Sequence, residues 1–285
     1  MQGKPRKEID MPSGFALARD GGLTVLTIPS FTATGAVAHA FTTRRGGVSP
    51  APFDSLNLGF KVGDDPEHVN TNRDRVCRIL GAGLDRLVAA DQVHGDRVLD
   101  VDLSHAGRGA RSREDALPGF DALVTATPGL ILSSYYADCV PLFFLDPRRR
   151  VIALAHAGWK GSVLRIGAKT VRHMVEGYGC RADDILAGIG PSVGPCCYEV
   201  DEAVMSGVEK CLSGGHRCAV PGRPGRWQLN LPELNRLVLR DVGVRAENIT
   251  LSGYCTACRR DLFFSHRGQG GRAGRMASVL MLKGA

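Results

Sequence analysis

Short apolar runs rich in β-branched residues alternate along this chain with longer segments of helical period, and that alternation restricts the folds open to it. The runs fall at residues 23–28, 36–41, 120–125, 130–135, 151–155, 185–189 and 249–251, each of strand length. The clearest helical segment starts at Asp65-Pro66, where Asp can cap and Pro can occupy the first turn, and ends near Gly81. Its spacing puts Val69, Val76, Ile79 and Leu80 on one inner side. A second helix is predicted over 162–178, with Val163, Ile166, Val171, Met174 and Val175 inward and Gly179 ending it. Further helices are expected over 200–212 and 232–242. Interleaved strands and helices favour an α/β, mixed α+β architecture over an all-helical or all-β one. Three Gly- and Arg-rich stretches, 107–114, 214–226 and 268–275, read as loops too short to separate independent domains. The expectation is a lead-in over residues 1–35 that carries the first strand, then one compact domain over 36–283.

Composition matters here through charge and cysteine. The 285 residues carry 36 Lys and Arg against 29 Asp and Glu, a net charge of +7, which invites a nucleic-acid partner. Much of the excess is local: Arg259, Arg260, Arg267, Arg272, Arg275 and Lys283 face only Asp261 in the last 31 residues. Phe263 and Phe264, the aromatics nearby, sit in an apolar run suited to a core. A solvated basic loop plus a small anionic co-substrate therefore explains the charge better than nucleic acid does. At this length about 70–75% of the unfolded chain's surface can be buried, so no disulfide framework is required. Nine cysteines, an odd number, point to reduced thiols and a cytoplasmic location. No apolar stretch approaches the ~20 residues of a membrane span, and the N-terminal residues lack the apolar core of a signal peptide.

Chemistry-bearing residues collect where strands end. Val151 to Gly161 is an apolar strand running through His156 and a Gly-containing turn into a helix start, with Lys160 adding positive charge where backbone N–H groups favour an anion. It matches neither the Walker pattern nor the dinucleotide fingerprint. Another strand ends in Ala137-Asp138-Cys139, and Gln92-Val93-His94-Gly95 carries a histidine into a turn. Two imidazoles and a thiolate are a set that zinc accepts, leaving a fourth position for water or substrate. The separations, His94 to Cys139 and on to His156, carry no local metal signature, so the trio is allowed by its chemistry and not required by its spacing.

The ordered motifs Phe41-Thr42-Thr43-Arg44-Arg45-Gly46-Gly47, Asn57-Leu58-Gly59, Val62-Gly63-Asp64-Asp65, Gln92-Val93-His94-Gly95, Ala137-Asp138-Cys139, His156-Ala157-Gly158-Trp159-Lys160-Gly161, Ile189-Gly190-Pro191 with Cys197-Tyr198-Glu199, and Phe263-Phe264-Ser265-His266-Arg267 resemble the laccase-domain family. That family was long labelled multicopper polyphenol oxidase and is now viewed as zinc-dependent purine nucleoside phosphorylases. The resemblance spans roughly residues 36–283. It implies a single α/β domain with mixed sheets packed between helices, similar to a deamidating-toxin catalytic domain, and zinc held by His94, Cys139 and His156. It also implies phosphorolysis of adenosine, inosine and methylthioadenosine, with adenosine deamination as a second activity. No nucleic acid or membrane partner and no self-association are expected.

Residue roles follow from that chemistry. Phosphorolysis needs cations that hold phosphate against the ribose C1′, and Arg44 and Lys160 are the candidates. Deamination needs an activated water, which a bound metal provides by lowering its pKa. Asp138 is either the proton shuttle or the partner that orients a metal-bound histidine. Cys197, Tyr198 and Arg267 are assigned to the substrate or phosphate pocket. His39 and His266 either join it or are ordinary hydrogen-bonded histidines.

Three other readings stay in view. Copper can occupy an N/N/S set, but the chain's eight histidines include no His-x-His pair, so a full multicopper cluster is hard to build. A cysteine hydrolase with Cys139 as nucleophile and His156 as base, acting on an amide such as a cell-wall precursor, needs the same neighbours without metal. A non-enzymatic binding module fits poorly with ionisable groups concentrated at strand ends. Cys255-Thr256-Ala257-Cys258 and the adjacent Cys196-Cys197 raise a further metal site or redox couple, against which stand the poor chelating geometry of adjacent cysteines and the lack of a thioredoxin-like context.

Overall fold

The computed structural model describes residues 14–284, so the reading of the first 13 residues lies outside it. The strands and helices follow in the order β1 (Ala16–Asp20), β2 (Leu23–Thr27), α1 (Pro29–Ala33), β3 (Val37–Thr42), α2 (Pro66–Ile79), β4 (Leu87–Asp91), β5 (Val98–Asp100), β6 (Leu117–Pro118), β7 (Ala122–Thr125), β8 (Ile131–Tyr136), β9 (Val140–Asp146) and β10 (Val151–Ala157). Then come α3 (Trp159–Val163), α4 (Ile166–Tyr178), β11 (Leu186–Ile189), β12 (Glu199–Asp201), α5 (Glu202–Cys211), β13 (Ala219–Pro221), β14 (Arg226–Leu229), α6 (Leu231–Asp241), β15 (Ile249–Leu251) and β16 (Met276–Leu282).

Two mixed sheets pack face to face. One has seven strands in the order β1-β2-β3-β16-β8-β4-β6, the other six in the order β15-β11-β9-β10-β7-β5, and a small antiparallel sheet β12-β14-β13 stands apart. Alternation along β9 shows why its sequence is apolar without a break. Phe143 and Leu145 point into the core shared with the seven-stranded sheet, where Phe41, Leu132, Tyr136 and Leu280 meet them. Leu142 and Phe144 point the other way, into the core formed with α4, α5 and α6. Full burial of a Phe is worth roughly 1.5–3 kcal/mol, so this strand anchors both layers. The outer face of the seven-stranded sheet is covered by α2 through Val76, Cys77 and Leu80. The result is a helix, sheet, sheet, helix stack, the mixed α/β architecture expected from the interleaved pattern.

Several elements differ from the sequence reading, each for a local reason. The helix expected over 162–178 is broken: α3 ends after Val163, and Arg165 adopts the left-handed region at φ 61° before α4 starts. Buried Ser162 accepts a hydrogen bond from Asn235 of α6 at 2.9 Å, and the Arg165 guanidinium turns to Asp241 and the Cys211 carbonyl. Those tertiary ties set a different axis for α3 than for α4. Val175 consequently faces solvent, and Ile79 of α2 is only half-buried. The inner face of α2 instead holds Asn72 and Arg73, fully engaged with backbone carbonyls of neighbouring loops. Helix α5 starts at Glu202 because Val200 pairs in β12, and the stretch 214–226 holds β13 and the start of β14. β16 lies at the centre of the seven-stranded sheet, between β3 and β8, and the sequence reading contains no strand there.

Candidate active site

Strand register assembles the site. In the six-stranded sheet Ala155 of β10 pairs with Ala122 of β7, which sets His156 opposite Asp121. On its other side His156 pairs with Pro141 of β9, two residues beyond Cys139. His94 comes from the turn after β4, a strand of the other sheet, and reaches the same point because Gln92 continues the β4–β8 pairing through two side-chain hydrogen bonds to the Tyr135 backbone. His94, Cys139 and His156 thus converge, with their ligand atoms all within 4.8 Å of one another and His94 Nε2 at 3.8 Å from Cys139 Sγ. Three donors of a tetrahedral zinc lie ~3.3–3.8 Å apart, so the set fits such an ion after small side-chain adjustment.

Asp121 organises this cluster, and the sequence reading missed it. Its carboxylate accepts Nδ1–H of His156 at 2.8 Å, which fixes the tautomer and leaves Nε2 for the cluster. The same carboxylate accepts the backbone N–H groups of Val93, His94 and Gly95 at 2.8–3.1 Å, wrapping the turn that bears His94, itself at φ 61°. Its only signal in the sequence is one acid at the head of an apolar run. Burial works to raise the Asp121 carboxyl's pKa, but the hydrogen bonds from His156 and Gly95 win and hold it below the usual range.

Charge inside the cluster is mutual. Burial pushes the Cys139 thiol up, yet the neighbouring His156 charge and hydrogen bonds from both histidines pull it down to about 6. Burial likewise lowers His156, while the Cys139 thiolate and Asp121 raise it to about 9. A thiolate beside an oriented imidazole is the ionised state that a metal ligand or a nucleophile needs. Gly158 is a further requirement: a Cβ there would come within 2.8 Å of His94 Cδ2 and 3.1 Å of Cys139 Sγ.

The cluster forms one wall of a cavity of about 430 Å³. Its cationic lining is Lys61, Arg73, Arg113 and Arg275, with the His266 imidazole beside them and Phe60 and Tyr135 as aromatic walls. Arg73 is sandwiched between those two rings at 4.2 and 4.0 Å, and its guanidinium is spent on the carbonyls of Leu58, Gly109 and Ala110. Lys61 and Arg113 share Asp91 at the rim.

Of the other candidate residues named from the sequence, all but His266 lie elsewhere. Arg44 is held by Asp54, the Arg260 carbonyl and the Phe264 ring, and Lys160 sits exposed over Trp159. Neither lines the cavity. Asp138, at φ 87°, contacts neither histidine of the cluster: it accepts hydrogen bonds from Thr256, Ser265 and the Arg267 backbone, each at 2.6 Å. It therefore ties the C-terminal loops to the residue before Cys139. Arg267 lies 5.4 Å over the Tyr198 ring, Cys197 belongs to a second cysteine group, and none of these three lines the cavity. His39 accepts the Ile28 N–H at 2.8 Å, far from the cluster, whereas His266 is in the cavity wall.

The sequence profile described as multi-copper polyphenol oxidoreductase laccase matches residues 38–283. The chain belongs to this laccase-like family. A protein named purine nucleoside phosphorylase YlmD from Bacillus subtilis is 42% identical over 249 residues, covering 87% of this chain and 90% of that one. A purine nucleoside phosphorylase from Deinococcus radiodurans is 42% identical over 264 residues, covering 92% and 94%. The crystal structure of YlmD from Geobacillus stearothermophilus superposes with a TM-score of 0.91 at 37% identity, covering 96% of this chain and 100% of that chain. Among the described residues of this family member, the groups of three or more close metal-binding side chains are the His94/Cys139/His156 trio and a set of four cysteines. Neither is the histidine-rich assembly that a multicopper cluster requires. No helix among the described residues is long and apolar enough to cross a membrane.

Proposed function

We propose that this protein is a purine nucleoside phosphorylase whose substrates meet in the 430 Å³ cavity beside His94, Cys139 and His156. The observation that carries the reading is the juxtaposition of an N/N/S cluster with a cavity of nucleoside size lined by several cations. The names of the relatives support it. In the reaction a phosphate oxygen bonds to the ribose C1′ as the bond from C1′ to the purine nitrogen breaks. The electron pair leaves with the base, which takes up a proton, and ribose 1-phosphate forms. Lys61, Arg113 and Arg275 supply the positive charge that holds the dianion against a carbon gaining oxocarbenium character. His266, in the same wall, is placed to hand a proton to the leaving purine.

His94, Cys139 and His156 would hold zinc, whose Lewis acidity activates water for the second proposed reaction, deamination of adenosine. Asp121 keeps His156 in the tautomer that presents Nε2 and fixes the His94 turn. Phe60 and Tyr135 give the cavity aromatic walls and hold the Arg73 guanidinium between them.

The test is incubation of purified protein with inosine and phosphate, with chromatography for hypoxanthine and ribose 1-phosphate. Product is expected from the wild type and only background from Cys139→Ala. Replacing Lys61 by Ala should raise the KM for phosphate about tenfold, the loss of one charge-assisted contact. No product from zinc-replete wild type rejects the phosphorylase. Because Cys139, His156 and Asp121 also form a Cys-His-Asp chain, a cysteine hydrolase is the second reading. Amide cleavage by metal-free protein, abolished by zinc, would favour it.

A further inference from the structure

Four of the nine cysteines lie together outside the cavity. Cys196, Cys197, Cys255 and Cys258 bring their sulfurs within 4.8 Å of one another, with Cys258 Sγ at 3.4 Å from that of Cys196 and 3.5 Å from that of Cys197. Two turns create the group. In the first, the Cys197 N–H donates to the Gly194 carbonyl at 3.0 Å, and the adjacent pair Cys196-Cys197 is carried round the bend so that both thiols face the same neighbour. In the second, the Arg259 N–H donates to the Cys255 carbonyl at 3.0 Å, which brings Cys255 and Cys258 to the same side. A single bridge between Ser192 and Cys255 pins one turn to the other. The Gly194 N–H also donates to Cys255 Sγ at 3.2 Å, a second tie between the two turns.

We propose that these four cysteines bind one zinc ion as a tetrathiolate, a site separate from the His94/Cys139/His156 cluster and independent of the phosphorylase reading. The distances decide between the ways four thiols can be used. A disulfide needs sulfurs ~2.05 Å apart, and Cys258, nearly equidistant from Cys196 and Cys197, can pair with only one of them. Tetrahedral zinc with bonds of ~2.3 Å places sulfurs ~3.8 Å apart, close to the separations here, and uses all four. Four protein ligands complete zinc's usual coordination, so this site is structural, and its assembly releases the thiol protons to solvent.

The fold supplies a reason for a staple. Residues 252–275, between β15 and β16, contain no helix or strand beyond the Ser192–Cys255 bridge, and the stretch 190–198 is equally irregular. Thr256, inside the second turn, donates to Asp138 at 2.6 Å, and Asp138 precedes Cys139 in the chain. Zinc at the four cysteines would fix the loop that positions Asp138.

Elemental analysis of full-length protein, purified from zinc-supplemented cells without nickel affinity, tests the site. The Cys255→Ser, Cys258→Ser double variant should hold one zinc per chain fewer than wild type, and Cys139→Ala should keep the zinc bound by the four cysteines. Loading Cys139→Ala with cobalt should give the intense sulfur-to-cobalt absorption of a tetrathiolate, a readout that stands even where the double variant does not fold. The proposal is overturned if Cys139→Ala holds no zinc, if iron replaces zinc there, or if denatured, unreduced wild type shows fewer than nine titratable thiols. Failure of phosphorolysis would leave the zinc difference unchanged, so the two readings fail separately.

Discussion

The protein gathers soft metal-binding side chains twice, and the two gatherings are built differently. His94, Cys139 and His156 come from strands and a turn of two packed sheets, are held by a buried carboxylate, and open onto a cavity. Cys196, Cys197, Cys255 and Cys258 come from two irregular turns joined by one bridge, and none of them lines that cavity. Three mixed ligands beside a substrate-sized space suit chemistry, whereas four thiolates from loops suit a staple. The difference teaches that ligand count, openness and supporting structure assign a role where residue type alone does not.

The largest break in this contrast is expected from Gly158→Ala. Its Cβ would press on His94 and Cys139 while touching nothing in the four-cysteine group. Displacing ligands by about an ångström should lower kcat/KM roughly 100-fold, as steady-state assays would show. One zinc per chain should vanish while the thiolate-bound one stays. Equal loss from both sites would mean that they are one cooperative unit.

Asp121→Asn should do less. The amide keeps the shape but cannot accept every N–H that the carboxylate now accepts, so zinc affinity at the histidine site should fall about 10- to 100-fold in competition with a chromophoric chelator. The four-cysteine site should be unaffected. An unchanged affinity would show that the turn bearing His94 is held by other means.

A smaller effect is expected at His39, which contacts neither site. Burial lowers its pKa from the ordinary 6.5 to about 4, and in the neutral form it accepts the Ile28 N–H. The folded protein therefore binds this proton later than the unfolded chain does. The stability linked to it is complete above pH 6.5 and is lost as pH falls toward 4, on the order of 3 kcal/mol. His39→Gln should flatten that acid limb in urea melts without altering zinc content. An acid limb of the same steepness would remove His39 as its source.

Much of the fold was legible in the sequence. The apolar runs at 23–28, 36–41, 130–135 and 151–155 became strands, and Asp65-Pro66 caps α2 as its residue types require, with the Asp65 side chain accepting the Glu67 N–H. Gly179 ends α4 in the left-handed region. Other features were hidden because long-range contacts decide them. β16 gains its place only by pairing with β3 and β8, and Arg165 breaks a helix whose local pattern is continuous because Asp241 and Cys211 lie within its reach. Arg73 looks like a polar-face residue of α2, yet it is buried because loop carbonyls and two aromatic rings surround it.

The sequence by itself determined the strand and helix alternation and, through the family resemblance its ordered motifs carry, named His94, Cys139 and His156 as candidate ligands. Side-chain type and local spacing are written in the chain, and those suffice for propensity, capping and the chemistry of donors. Only the tertiary structure decided that Asp121 holds the histidines, that Lys61, Arg113 and Arg275 line the cavity in place of Arg44 and Lys160, and that four cysteines meet. Each of those depends on strand register and sheet packing, which join residues far apart in the chain through energies that no local pattern records.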